Sequence, residues 1–185
     1  TQFDRVRSAK ATYSPAQGTL YSEDEVEITR GVPVEGPPRG HLVTIRSSGV
    51  TFETRTARAT TDRPTKFEFD LGDGESVGAT YDPTLRELRM HGQVKLNWRG
   101  RGPRPQPMAL ESGELIYKES ESKVLLFPWA RLKRGTMTLE TAGAVVSIED
   151  GAIRLVEAQA AKGSNQEPKR RLDYQAQGLT MWFNA

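Results

Sequence analysis

This 185-residue sequence predicts an all-β fold, a sandwich, jelly roll or rolled sheet of many short strands. Three observations carry that prediction. Apolar and polar residues alternate with period two in segment after segment, as in strands with one face buried. Turn-forming clusters separate those segments. Only one stretch, Ile153 to Lys162, offers a helix candidate, so no helical layer is available to cover the strands and their apolar faces must bury one another.

Taken in chain order, the alternation appears first at Val26-Glu-Ile28 and then at Val50-Thr-Phe52-Glu53. It returns at Phe67-Glu-Phe69-Asp-Leu71 and is longest from Leu88 to Trp98, where every even position is apolar or glycine. That longest segment predicts a half-buried strand, or a pair of strands bent at Gly92. Met137-Thr-Leu139-Glu140 and Leu179-Thr-Met181 complete the series. Ile153 to Lys162 has helix-forming alanines, yet Ile153 and Leu155 flank Arg154 in strand fashion, and the segment reads as a strand. Gly72-Asp73-Gly74, Asp82-Pro83 and Glu149-Asp150-Gly151 read as turns. Gly31 to Gly40, Arg99 to Pro107 and Gly163 to Arg171 read as surface loops.

Composition narrows the function classes. At 185 residues one domain spanning 1–185 is expected, and with no apolar run near ~20 residues no spanning helix is expected within it. A formal net charge of +2 does not mark a nucleic-acid binder. Arg99-Gly-Arg101-Gly-Pro-Arg104 and Lys169-Arg-Arg171 read as basic surface loops. The absence of cysteine removes thiolate catalysis and cysteine-held metals. His41 and His91 stand fifty positions apart with no ligand spacing around either, so no metal site is expected. Glu23-Asp24-Glu25 reads as a solvated turn rather than a pair of glycosidase carboxylates. With no nucleophile elbow and no phosphate loop, neither a catalytic group nor a cofactor is expected.

Self-comparison reveals a repeat. Ala11-Thr-Tyr13-Ser-Pro15, Leu20, Val26 and Ile28 recur as Ala79-Thr-Tyr81-Asp-Pro83, Leu88, Val94 and Leu96, all at an offset of 68. Tyr117, Val124 and Leu132 form a third copy a further 36 residues on. The unit reads as a pair of strands around a polar turn. A second recurrence, Val50 to Thr54 and Met137 to Thr141, has an offset of 87. Unequal offsets argue against a solenoid of fixed rung length.

The order Ala79-x-Tyr81-Asp82, Leu88-x-Met90, Gly92-x-Val94-x-Leu96 resembles the rung of the OstA-like periplasmic proteins of lipopolysaccharide export, the LptC and LptA group. Phe52-Glu-Thr54 with Ala57 and Ala59 is similar to the element preceding that rung, and LptC-related proteins are the nearest match. The likeness runs from about Leu20 to Ala161, and Leu172 to Phe183 looks like the opening of a further rung. The resemblance implies an OstA-like β-jellyroll, a twisted open sandwich of short antiparallel strands, whose two sheets gape around acyl chains. It implies a periplasmic protein that binds and transfers lipopolysaccharide or lipid A without catalysis. It also implies edge-strand pairing with other OstA-like jellyroll proteins and contact with an inner-membrane export complex. The chain is then expected to be a fragment of a longer one, anchored by a segment outside it.

On that reading Phe52, Phe67, Phe69, Leu88, Met90, Val94, Leu96 and Leu139 are the candidate lipid-groove residues. The alternatives are a structural or adhesive β-sandwich or solenoid with a closed core, or a sugar-binding jelly roll using Trp98 or Trp129. An interior that opens to a continuous apolar hollow discriminates between the groove and the closed core.

Overall fold

The computed structural model describes residues 2–34, 43–69, 72–99, 106–149 and 152–183. Its strands are β1 (Gln2–Ser8), β2 (Thr12–Ser14), β3 (Thr19–Ser22), β4 (Val26–Pro33), β5 (Val43–Ser47), β6 (Val50–Glu53), β7 (Ala59–Phe69) and β8 (Gly72–Asp82). They continue as β9 (Glu87–Met90), β10 (Val94–Trp98), β11 (Met108–Lys118), β12 (Lys123–Arg134), β13 (Met137–Thr141), β14 (Gly143–Glu149), β15 (Ala152–Glu167) and β16 (Arg170–Trp182). A 3₁₀ turn, Glu119–Glu121, joins β11 to β12. The all-β class and jellyroll-like architecture are as predicted, and Ile153 to Lys162 is indeed strand.

Hydrogen bonding makes one continuous antiparallel sheet, folded along a crease into two arms. The first arm runs β1-β4-β5-β7-β8-β10-β11-β12-β13-β15. The second runs β2-β3-β6-β7-β8-β9-β11-β12-β14-β15, and β16 follows β15 through both. Between the arms lies a shared core that includes Leu126, Leu132, Leu139 and Val156.

The crease has causes in the chain. On β11 the buried positions switch from even (Met108, Leu110, Ser112) to odd (Leu115) across a bulge at Ser112–Glu114. An extra residue of this kind bends the strand and turns its apolar face with it. β7 breaks its ladder between Thr61 and Pro64, where proline has no donor to give. β15 leaves β14 for β13 around Ala160, whose φ is 49°. Where strands cross the crease, hydroxyls bond the carbonyl two residues on: Ser76 Oγ donates to Gly78 O (3.1 Å), Ser112 Oγ to Glu114 O (2.8 Å) and Thr141 Oγ1 to Gly143 O (2.7 Å). These buried hydroxyls line the crease at no net hydrogen-bond deficit.

The 68- and 36-residue offsets are structural. Tyr13 pairs with Leu20, Tyr81 with Leu88 and Tyr117 with Val124. The turns close on left-handed residues at matching places, Gly18 (φ 62°), Arg86 (φ 53°) and Ser122 (φ 52°). Ser8, Ser76 and Ser112, again at those offsets, each bond the carbonyl two residues on. The unit is therefore larger than a strand pair: it descends one arm, crosses the crease, turns, and returns. It is broken at both crossings in β1–β4, once in β8–β10, and not at all in β11–β12.

Several expectations need correction. The recurrence at an offset of 87 is not structural, because β6 lies in the second arm and β13 in the first. Gly72-Asp73-Gly74 is not a turn but the start of β8, and Gly163 to Arg171 is not a loop. Its residues pair across a hairpin whose turn is only Pro168-Lys169, from Glu167 opposite Arg170 to Gly163 opposite Tyr174. In both places glycine serves an aromatic ring from the neighbouring strand. A Cβ would fall 2.2 Å from Phe67 Cζ at Gly74 and 2.5 Å from Tyr174 Cζ at Gly163. Gly31 lies within β4, which runs on to Pro33, rather than opening a loop; residues 35–42, 70–71, 100–105 and 150–151, and with them His41, Leu71 and most of the Arg99–Pro107 segment, lie outside the described residues.

Candidate functional site

Between the arms lies a cavity of about 590 Å³. Phe67, Phe69, Leu96 and Trp98 line it from the first arm, and Leu88, Met90, Leu115, Tyr117, Val124 and Ile148 from the second. Alternation puts these side chains inward, since β10 reads buried at Val94, Leu96 and Trp98 and exposed between. The rings of Phe69 and Trp98 meet at 5.3 Å between centroids, tilted by 48°. That geometry stabilises aromatic pairs and leaves two adjoining apolar faces on the first arm's wall.

One corner of the cavity is charged. Arg30, on β4, is about nine-tenths buried and donates to Glu119 Oε2 at 2.6 Å. Its guanidinium stands 4.3 Å above the Tyr81 ring, and its Nε lies 3.9 Å from Asp4 Oδ2, beyond hydrogen-bond reach. Tyr81 OH donates to that same Asp4 Oδ2 at 2.8 Å, while the Gly31 N–H donates to Oδ1 at 3.3 Å. Arg86, more exposed, holds the other Glu119 oxygen, and the Glu119 N–H donates to Arg86 O. Burial disfavours the Arg30 charge, but Tyr81, Glu119 and Asp4 outweigh it and keep the guanidinium protonated. Burial likewise pushes the Tyr81 phenol well above its ordinary value, so it remains a donor.

Five of the eight predicted groove residues, Phe67, Phe69, Leu88, Met90 and Leu96, line this cavity. Three do not. Val94 and Leu139 are fully packed in the core, and Phe52 lies farther along the second arm, opposite Leu20 and Ala59. Trp98, Tyr117 and Val124 line the cavity as well, and their signal was present in the alternation and in the third repeat. Asp4, Arg30 and Glu119 carried no local signal, because only the fold brings them together. The acidic run near Glu23 lies in a bend between β3 and β4, where Glu23 pairs with Arg63 at 3.2 Å. Among the described residues no group of three or more His, Cys, Asp or Glu is placed to hold a metal ion.

Compared with known families, residues 4–98 match the LptC-related family of lipopolysaccharide assembly, which is just over half of the chain and includes the first two repeat units. The chain belongs to the LptC-related family. No curated protein matches it. Membership gives this LptC-related protein a part in lipopolysaccharide transport, within a family of transport and binding proteins associated with the periplasm and inner membrane. No helix among the described residues is long and apolar enough to cross a membrane.

Proposed function

We propose that this LptC-related protein binds acyl chains of lipopolysaccharide in the cavity between its arms and hands the lipid on without catalysis. The apolar hollow of about 590 Å³ carries this reading. Its volume falls within the ~300–1,000 Å³ of small-molecule pockets, so it accepts one or two acyl chains while the rest of the lipid stays outside. Each buried methylene contributes about 0.8 kcal/mol, and a ~12-carbon chain about 10 kcal/mol before ordering costs, so affinity needs no catalytic group. A closed-core sandwich would leave that hollow without a purpose.

The working place on this reading is the periplasm, with 1–185 acting as one jellyroll domain of a longer chain tied to the inner membrane outside it. The outer edges of β1 and β16 supply backbone donors and acceptors for other jellyroll proteins of the export route. A photo-crosslinking residue tests the site. At Phe69 it should label the acyl chains of co-purified lipopolysaccharide, and at the exposed neighbour Glu68 it should not. Equal labelling at the two positions, or none at either, refutes the proposal.

A further inference from the structure

We infer that the charged corner of the cavity is a partner-exchange clasp, holding the two arms together at rest and releasing them at little cost. The inference takes the cavity to be the lipid site proposed above. Its geometry divides by arm. Asp4 and Arg30 sit on β1 and β4 of the first arm, whereas Tyr81, Arg86 and Glu119 sit at strand ends and turns of the second. Both close contacts cross the gap, Arg30 to Glu119 at 2.6 Å and Tyr81 to Asp4 at 2.8 Å.

Separating a buried pair is costly when it strands a charge. Here each charge has a second partner on its own arm. Glu119 already holds Arg86, which is also joined to it through the backbone. Arg30 has Asp4 at 3.9 Å, just out of reach, with its buried Nε lacking an acceptor among the described residues. When the arms part, Asp4 loses Tyr81 and gains Arg30, Glu119 keeps Arg86, Arg30 leaves the face of the Tyr81 ring, and the Tyr81 hydroxyl turns to water. The closed cavity is too small for a many-chained lipid, and this corner lets it widen without leaving an unpaired ion.

A static ion-pair cluster makes the opposite prediction for Arg86, which separates the two. The sequence has no cysteine, so spin labels at Leu85→Cys and Glu68→Cys, one on each arm, report the gap by pulsed dipolar spectroscopy. Tyr81→Phe deletes a contact made only when closed and should raise the wide-gap population roughly two- to tenfold. Adding Arg86→Met to that variant removes a partner that matters most when open, and should lower the wide-gap population again. An unchanged gap in Tyr81→Phe, or a further widening on adding Arg86→Met, overturns the clasp. The measurement uses no lipid, so failure of crosslinking at Phe69 rejects the lipid site and leaves this result standing, and the reverse holds too.

Discussion

The ring of Phe67 lies over Gly74, its partner in the β7–β8 register, so that a Cβ there would fall 2.2 Å from Phe67 Cζ and 2.5 Å from the Lys95 carbonyl oxygen. Neither the ring nor the backbone can yield without disturbing the cavity wall. Gly74→Ala should therefore cost about 1–3 kcal/mol by overpacking. Gly178, where an added Cβ would meet nothing within 4 Å, is the control. Gly178→Ala should be neutral or stabilising by up to ~1 kcal/mol. Urea midpoints of the two variants check the contrast.

Ser112 is almost wholly buried, and its hydroxyl is the partner of the Glu114 carbonyl at the bulge of β11. Ser112→Ala leaves that carbonyl short and should cost about 1–3 kcal/mol. The equivalent Ser8 is itself exposed, although its hydroxyl also meets the buried Ser22 Oγ at 2.6 Å, so Ser8→Ala should cost less than Ser112→Ala, about 0.5–1 kcal/mol. Denaturation in urea distinguishes them.

Leu96 is buried in the cavity wall, and its neighbour Lys95 faces water, paired with Glu75 at 3.1 Å. Leu96→Ala should cost about 2–4 kcal/mol, Lys95→Ala less than about 1 kcal/mol. Similar midpoints for the two would contradict the register of β10.

Burial raises the Glu119 carboxyl, but hydrogen bonds from Arg86 and Arg30 outweigh it and hold the group below its ordinary 4.5. The folded state then binds the proton less readily than the unfolded chain. The contribution of Glu119 is complete above pH 4.5 and is lost as pH falls through the lower folded value. Glu119→Gln should flatten that part of the acid limb, measured as stability against pH. His91 is pushed below its ordinary 6.5 by burial first and then by Arg89, so the stability it contributes declines as pH falls below 6.5, a separate window.

Alternation made β9 and β10 legible, and a bend at Gly92 was correctly placed, because one face of each strand is buried and the pattern is local. The tyrosine-led repeat was legible for the same reason. Gly72 to Gly74 and Gly163 misled, since glycine marks turns in sequence, whereas here Phe67 and Tyr174 require it from another strand. Nothing local distinguishes Phe52, outside the cavity, from Phe67 inside it; their places depend on how far along its arm each strand lies. The charged corner was hidden for a stronger reason. Asp4, Arg30 and Glu119 come from three separate segments, and each alone reads as an ordinary surface residue.

The descending and returning unit has a consequence for how such a molecule lengthens. Inserting one more 36-residue crossing after β10 would add two strands to each arm at once and leave β1 and β2 at one end and β16 at the other as the outer edges. With neighbouring strands roughly 5 Å apart, the hollow would grow by about 10 Å along its length, its cross-section unchanged. Duplication then acts as a ruler, setting how long an apolar chain the protein can shelter while the chemistry of its walls stays the same.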